Sequence, residues 1–118
     1  MFNFEKLDAW QHGIDFADSV YRVTRGFPAA ERFGLMNQMR RAAVSISSNV
    51  AEGSSRSSRI DFARFVEIGA GSLFEVVSQS FVAKRQGFLN ETDFEELYGL
   101  AERQGMILSG LRRSLLKP

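Results

Sequence analysis

One stretch decides the fold of this chain: Arg40-Arg-Ala-Ala-Val-Ser-Ile-Ser-Ser-Asn-Val-Ala-Glu-Gly53. Apolar residues recur in it at helical spacing, and small polar residues occupy the positions between them. Small side chains allow a second helix to approach closely, and glycine often ends a helix because it readily adopts positive φ. The stretch therefore predicts a tightly packed helix that stops at Gly53.

Helical patterns also fill the sequence on both sides of this stretch. Phe27-Pro28 ends the first pattern, because a residue before proline is pushed out of the α region. Ser58 and Asn90 each precede an aspartate by three residues, which predicts two helix starts, and Gly87 predicts a stop. The predicted helices span about residues 7–26, 29–52, 58–86 and 91–115.

Short connections between four long helices predict an antiparallel, up-down-up-down bundle. The chain has 118 residues, 44% of them hydrophobic, which suits one all-α domain over residues 1–118. In this arrangement Gly69 and Gly71 of the third helix lie opposite Ala42 and Ala43 of the second. We therefore expect close backbone contact between these two helices.

Helices one and three have apolar faces wider than a surface helix needs. The predicted inner seam of helix one contains Leu7, Trp10, Ile14, Ala17, Tyr21 and Thr24. A second apolar set on the adjoining face contains Phe16, Val20, Val23 and Phe27. One bundle interior cannot bury both sets, and large exposed apolar patches usually mark interfaces. We therefore expect a homo-oligomer whose subunit contact includes Phe16, Val23, Ile68, Phe74 and Val82.

Composition limits the location and the partners of the protein. The chain has no cysteine, which excludes disulfides and fits the cytoplasm. Its first residues lack a signal-peptide pattern, and no apolar run reaches the ~20 residues that span a bilayer, so we expect no membrane association. The net charge of +1 does not require a nucleic-acid partner. Most basic residues are arginine, which suits phosphate, although genomic base composition produces the same bias.

The side chains that catalysis and metal binding require are scarce. His12 is the only histidine, and the Glu-x-x-His pairs of di-iron bundles are absent. Asp8, His12 and Asp15 share one helix face, which we interpret as a solvated face rather than a metal site. No nucleophile elbow or phosphate-binding loop is present. We therefore expect no enzymatic activity, no metal and no cofactor.

Two arginines and several hydroxyls surround the predicted start of helix three, in Gly53-Ser-Ser-Arg-Ser-Ser-Arg59. Arginines, hydroxyls and free N–H groups together suit an anion, although a polar loop with ordinary caps has the same composition. The antiparallel bundle brings this loop to the same end as the C-terminus. The candidate phosphate-binding residues are Arg56, Arg59, Arg112, Arg113 and Lys117, with Arg40 and Arg41 as secondary candidates. The opposite end holds Glu91, Asp93, Glu95 and Glu96, which predicts a charge asymmetry.

Several motifs follow one another in an order that resembles a known family. They include Leu7-Asp-Ala-Trp10, Glu31-Arg-Phe-Gly-Leu35, Gln38-Met-Arg-Arg-Ala-Ala-Val-Ser45, Ser48-Asn-Val-Ala-Glu-Gly53 and Gly71-Ser-Leu73. Together they resemble the bacterial four-helix-bundle proteins encoded within intervening sequences of the large-subunit ribosomal RNA gene. The resemblance implies a ring of five bundles. It also implies kinship to the accessory protein of diversity-generating retroelements, a basic pentamer that binds nucleic acid and a reverse transcriptase.

Two functional hypotheses follow from the sequence. The first is a non-enzymatic oligomeric protein that binds RNA, or a nucleic-acid–protein assembly, through its basic end. The second is a protein-interaction scaffold without affinity for nucleic acid. The distribution of charge on the assembled ring separates them, because phosphate binding needs one contiguous basic surface.

Overall fold

The computed structural model describes all 118 residues and consists of four long helices without a strand. The helices are α1 (Asp8–Thr24), α2 (Leu35–Ser54), α3 (Arg59–Arg85) and α4 (Glu91–Leu116). Short 3-10 turns, Asn3–Lys6 and Ala29–Glu31, precede α1 and α2. Each helix packs against two others, in the cyclic order α1, α2, α3, α4. The molecule measures 47 × 22 × 21 Å, so the helices run along its long axis.

Contacts between helix ends establish the antiparallel arrangement. Arg22, in the last turn of α1, donates a hydrogen bond of 3.0 Å to Glu96, near the start of α4. Arg59, the first residue of α3, reaches the backbone oxygen of Leu115 at the end of α4, at 3.2 Å. The predicted all-α, antiparallel four-helix bundle is confirmed.

Three of the predicted helix ends have the expected local chemistry. The side chains of Ser58 and Asn90 accept hydrogen bonds from the backbone N–H groups of Asp61 and Asp93, at 3.0 and 2.8 Å. Gly87 follows α3 with a φ of 77°, the left-handed conformation that glycine adopts without a steric cost. These caps depend on atoms a few residues apart, so the sequence is enough to place them.

The predicted start of the second helix at residue 29 is wrong. Pro28 is followed by the 3-10 turn, and α2 begins at Leu35, six residues after the predicted start. Gly34 has φ −110° and ψ −118°, outside the helical region, and it separates the turn from the helix. The side chain of Glu31 accepts a hydrogen bond of 3.1 Å from the backbone N–H of Leu35. A carboxylate therefore satisfies one of the free N–H groups at the start of α2.

The predicted stop of the second helix at Gly53 is also wrong, because α2 continues to Ser54 with Gly53 buried inside it. A Cβ atom on Gly53 would lie 2.7 Å from the Cβ of Phe65 and 2.8 Å from a ring carbon of Phe62. Glycine is therefore required here because α3 approaches α2 closely, not because the helix ends.

The predicted inner seam of α1 is only partly correct. Ala17 and Thr24 are buried, but Ile14 and Tyr21 are exposed. The stripe that enters the core contains the residues expected on the adjoining face, Phe16, Val20, Val23 and Phe27. The expectation that Phe16 and Val23 contribute to a subunit contact is therefore wrong. Two neighbouring apolar stripes fit the same periodicity, and the position of α1 between α2 and α4 selects one of them.

The two mid-helix glycines of α3 have different surroundings. Gly69 is buried against α2, where an added Cβ would lie 3.4 Å from the backbone oxygen of Ile46 and 3.6 Å from the Cβ of Asn49. The predicted close contact is therefore present at Gly69, but about one turn further along α2 than Ala43. Gly71 has no such neighbour within 4 Å and faces solvent, so its predicted contact is wrong.

Helix α3 is the one helix whose length and composition would suffice to cross a membrane. Core helices of soluble bundles have the same properties. Here α3 packs against both α2 and α4, and its buried residues include Val66, Leu73 and Val76. Among its exposed apolar residues, Phe74 and Phe81 form part of one wall of a groove between α3 and α4.

Candidate functional site

Five of the seven candidate basic residues lie at one end of the bundle, which we call the arginine end. This end contains the last turn of α2, the first turn of α3 and the last turns of α4. Its members are Arg56, Arg59, Arg112, Arg113 and Lys117. The structure therefore brings together residues that are far apart in sequence, because the bundle is antiparallel.

Arg59 is held by the end of α4. Its guanidinium donates to the backbone oxygens of Ser114 at 2.5 Å and Leu115 at 3.2 Å. The last carbonyl groups of a helix lack partners within that helix and carry a partial negative charge. Arg59 satisfies two of them, so its primary role is to fasten α3 to α4.

Arg56 and Arg112 are each paired with one acidic side chain. Arg56 lies 3.8 Å from Glu52 and stacks over the ring of Phe65, 4.6 Å from its centroid. Arg112 lies 3.5 Å from Glu67. Both ion pairs are solvent-exposed, and exposed pairs contribute only about 0–1 kcal/mol, so phosphate can compete for these guanidinium groups.

Arg113 and Lys117 are the least engaged basic residues of the arginine end. Arg113 donates to the hydroxyl of Ser109 at 2.9 Å and has no acidic partner. Lys117 follows the last residue of α4 and is exposed without an ion pair. These two side chains have the greatest freedom to contact an incoming anion.

Arg40 and Arg41, the secondary candidates, lie at the other end of the molecule. Arg40 donates to the hydroxyl of Thr24 at 2.8 Å and to the backbone oxygen of Tyr21 at 3.3 Å, and it stacks over the Tyr21 ring. It therefore fastens α2 to the end of α1. Arg41 is exposed on α2 and has neither an ion pair nor a side-chain hydrogen bond. The structure separates both residues from the other five candidates.

The acidic residues at the start of α4 are neutralised locally. Arg22 lies 3.0 Å from Glu96 and 3.8 Å from Asp93. Lys84 lies 2.9 Å from Glu91, and its hydrogen bond lowers the pKa of that carboxyl below the ordinary value. This end therefore also carries basic side chains, and the predicted strong charge asymmetry is absent.

The most prominent concave surface is an open groove between α3 and α4, with a volume of about 1100 Å³. We call it the α3–α4 groove. Its most exposed apolar side chains are Phe74 of α3, 74% exposed, and Met106 of α4, 75% exposed. Phe81 and Tyr98 contribute an edge-to-face pair of rings near the start of α4, and Glu102 lies on the α4 wall. Arg112 and Arg113 line the opposite part of the groove, so it runs into the arginine end.

Sequence reasoning identifies only one wall of this groove. The sequence predicts Phe74 as part of a subunit contact, and Phe74 is exposed together with Ile68 and Val82. Tyr98 and Met106 are not among the predicted residues. The available signal was their spacing, because Tyr98, Glu102 and Met106 follow one another at four-residue steps along one face of α4.

The acidic and imidazole side chains do not form a metal site. No group of three or more potential ligands lies close enough together to hold a metal ion. Asp8 and Asp15 are exposed on α1, and His12, the third residue of the predicted solvated face, is half-buried.

Comparisons with known proteins agree with this architecture. A crystal structure from Bacteroides thetaiotaomicron, described as a protein of unknown function from the S23 ribosomal protein family, superimposes with a TM-score of 0.79. The aligned region covers 89% of this chain and 98% of that chain at 18% sequence identity, which supports the common fold. Curated proteins give no match. The family model described as 23S rRNA-intervening sequence protein matches residues 5–110, and this chain belongs to that family.

Proposed function

We propose that this protein is a non-enzymatic, self-assembling binding protein of the cytoplasm whose subunits associate through the α3–α4 groove. The observation that carries the proposal is the exposure of Phe74 and Met106, which line the α3 and α4 walls of that groove. Fully burying a side chain of this size contributes about 1.5–3 kcal/mol. A second copy that covers the groove would remove both side chains from water. The resemblance described above supplies the number of subunits, five.

Mass measurement of the assembly tests this proposal. We expect wild-type protein at micromolar concentration to have an oligomeric mass by light scattering. The double variant Phe74→Ser with Met106→Ser should be monomeric, because it removes the two most exposed apolar side chains of the groove. Both side chains are largely exposed, so the variant should keep its helical circular dichroism spectrum.

Ile60→Ser is the matched control, because Ile60 is also an exposed apolar residue of α3 but lies outside the groove. It should keep the wild-type mass. A monomeric wild-type protein at micromolar concentration would refute self-assembly.

A second function, binding of nucleic-acid phosphate and RNA in particular, is favoured by the composition of the arginine end. Arg113 and Lys117 have no acidic partner, and the ion pairs of Arg56 and Arg112 are exposed. A ring would repeat this surface in every subunit, so weak contacts would add through multivalency. Contacts with phosphate carry no base information, so the binding should depend little on sequence.

Mobility-shift titrations across a salt series test phosphate binding, with structured RNA, single-stranded RNA and duplex DNA as probes. We expect affinity to fall steeply with salt, since each neutralised phosphate releases counterions. Arg113→Gln with Lys117→Gln should reduce the affinity and flatten the salt slope, by about 1 for each phosphate that a bound subunit no longer neutralises. Arg59 is left intact because it holds α4.

The matched control is Arg41→Gln, which removes one exposed charge at the other end of the bundle. It should leave the affinity close to that of the wild type. If assembled wild-type protein shifts none of the three probes at low salt, the protein is a scaffold for other proteins rather than a nucleic-acid binder.

A further inference from the structure

The connection between α1 and α2 carries the most exposed aromatic side chain of the bundle. Phe33 is 86% exposed, and its only aromatic or cationic neighbour is the guanidinium of Arg32, 5.7 Å from the ring centroid. Phe33 therefore contributes almost nothing to the core of its own chain. A single exposed ring does not by itself mark an interface, but the ring of Phe33 is free to be buried by a second molecule.

The α3–α4 groove has its aromatic part at the same end of the molecule as Phe33. Phe81 lies in the last part of α3 and Tyr98 in the first part of α4, and both are partly exposed. Their rings lie 6.2 Å apart, edge to face, and each also packs against Phe94, with centroids at 4.9 and 5.9 Å. Phe94 is buried, so the core fixes the two partly exposed rings as one surface before any partner arrives, and we call this ring pair the socket.

Phe33 and the socket lie on opposite sides of the bundle. The helices pack in the cyclic order α1, α2, α3, α4, so the side formed by α1 and α2 is opposite the side formed by α3 and α4. Two complementary surfaces on opposite sides of one chain produce a head-to-tail contact, which generates a ring when the rotation between copies closes. If the rotation axis of the ring is parallel to the long axis of the bundle, equivalent residues of all copies lie at the same position along that axis. In such a ring the Phe33 end of one copy therefore meets the Phe81–Tyr98 end of the next.

The surface around Phe33 and the wall of the α3–α4 groove carry unpaired charges of opposite sign. Arg32 stacks beside Phe33 and has no acidic partner within its own chain. Glu102 lies on the groove wall one turn after Tyr98 and has no basic partner. Both charges are thus available for an ion pair between copies.

We propose that Phe33 of one copy packs onto the exposed face of the Phe81–Tyr98 ring pair of the next copy, with Arg32 facing Glu102. This proposal rests on the self-assembly proposed above and specifies which part of the second copy occupies the groove. The contact is heterologous, so each copy supplies Phe33 to one neighbour and the socket to the other.

Sedimentation velocity of Phe33→Ala tests the proposal. We expect the dissociation constant between subunits to rise roughly 10- to 100-fold, because each interface then buries one phenylalanine fewer. Phe33 is too exposed to support the fold, so the circular dichroism spectrum should not change. Ile60→Ala removes a similarly exposed apolar group outside the groove and should leave the dissociation constant unchanged.

A mixing experiment separates a head-to-tail contact from one in which two grooves face each other. Phe33→Ala keeps the Phe81–Tyr98 pair, whereas Tyr98→Ser keeps Phe33 but lacks one ring of that pair. Each variant alone should be largely monomeric, and the mixture should form a one-to-one complex through the single intact contact. If Phe33→Ala assembles like the wild type while Phe74→Ser with Met106→Ser is monomeric, self-assembly stands and the contact of Phe33 with the ring pair is overturned.

Charge reversal provides a second, independent readout. Arg32→Glu and Glu102→Arg should each weaken the assembly, because they place like charges together across the contact. The double reversal should recover at least part of the affinity. Absence of recovery would overturn the pairing of Arg32 with Glu102.

Discussion

Gly53 of α2 and Gly71 of α3 are both helical, but one is closely packed and the other is open to solvent. Gly53 is pressed against the Cβ of Phe65, which is fixed to the backbone and cannot move aside cheaply. Gly71 has open space around it. In an exposed helix interior, glycine is about 1 kcal/mol less favourable than alanine. The same substitution therefore has opposite expected effects at the two positions.

Gly71→Ala should increase the free energy of unfolding by about 0.5–1 kcal/mol, through helix propensity alone. Gly53→Ala should decrease it, because overpacking a close contact costs about 1–3 kcal/mol and exceeds the gain in propensity. Urea denaturation of the two variants under identical conditions measures both changes. Equal effects at the two positions would contradict the close approach of α3 to Gly53.

Helix ends in this bundle are fastened by arginines from neighbouring helices. Arg40 of α2 contacts the end of α1, and Arg59 of α3 contacts the end of α4. A positive charge is favourable beside the carbonyl end of a helix and unfavourable at the amino end. Arg59 lies at the amino end of α3, where a positive charge is unfavourable. Its contact with the carbonyl end of α4 is favourable and explains an arginine at this position.

Arg59→Ala should loosen the last turn of α4. We expect its opening free energy to fall by about 1 kcal/mol, the usual net contribution of a protein hydrogen bond. Hydrogen exchange of the backbone amides in the last turn of α4 measures this change. Arg41→Ala, which removes an arginine without partners, is the control and should leave the exchange rates unchanged.

The connection from α3 to α4 is fastened by an ion pair that depends on pH. The hydrogen bond from Lys84 is the main cause that lowers the pKa of Glu91 from its ordinary value of 4.5. A carboxyl whose pKa is lower in the folded state stabilises the fold above its unfolded pKa. That stabilisation is lost as the pH falls below 4.5 and through the lowered pKa.

Lys84→Met should return the pKa of Glu91 towards its ordinary value. Carbon-detected NMR titration of the Glu91 carboxyl in both proteins measures the difference. The variant should also lose less stability on acidification, because the favoured charged state of Glu91 no longer contributes. An unchanged Glu91 titration in Lys84→Met would exclude the ion pair as the cause.

Each helix buries one face in the core of the bundle, and the outer surface of α3 and α4 contains the exposed apolar groove. The α3–α4 groove remains open in a single chain, with Phe74 and Met106 in contact with solvent. Association that buries the groove would stabilise the folded chain by mass action, so stability would depend on protein concentration.

The melting temperature of the wild-type protein should therefore rise with protein concentration. The variant Phe74→Ser with Met106→Ser should melt at a temperature independent of concentration, because it cannot associate. Scanning calorimetry over a wide range of concentration compares the two. A wild-type melting temperature independent of concentration would contradict self-assembly.

The sequence by itself determined the number of helices, most of their ends and their antiparallel order. Ser58, Asn90 and Gly87 act on backbone groups within a few residues, so their effect is local. Short connections then leave little choice but an antiparallel order. Once that order is known, the shared location of Arg56, Arg59, Arg112, Arg113 and Lys117 also follows.

Only the tertiary structure decided which faces the helices bury and what each arginine does. The two apolar stripes of α1 have the same periodicity, and the core took the one with Phe16 because α1 lies between α2 and α4. Arg59 binds the end of α4 because that end lies beside it. Position 53 requires glycine because Phe62 and Phe65 leave no room for a side chain. Each of these outcomes depends on a neighbour that is distant in sequence or lies on another helix, and no local pattern contains that information.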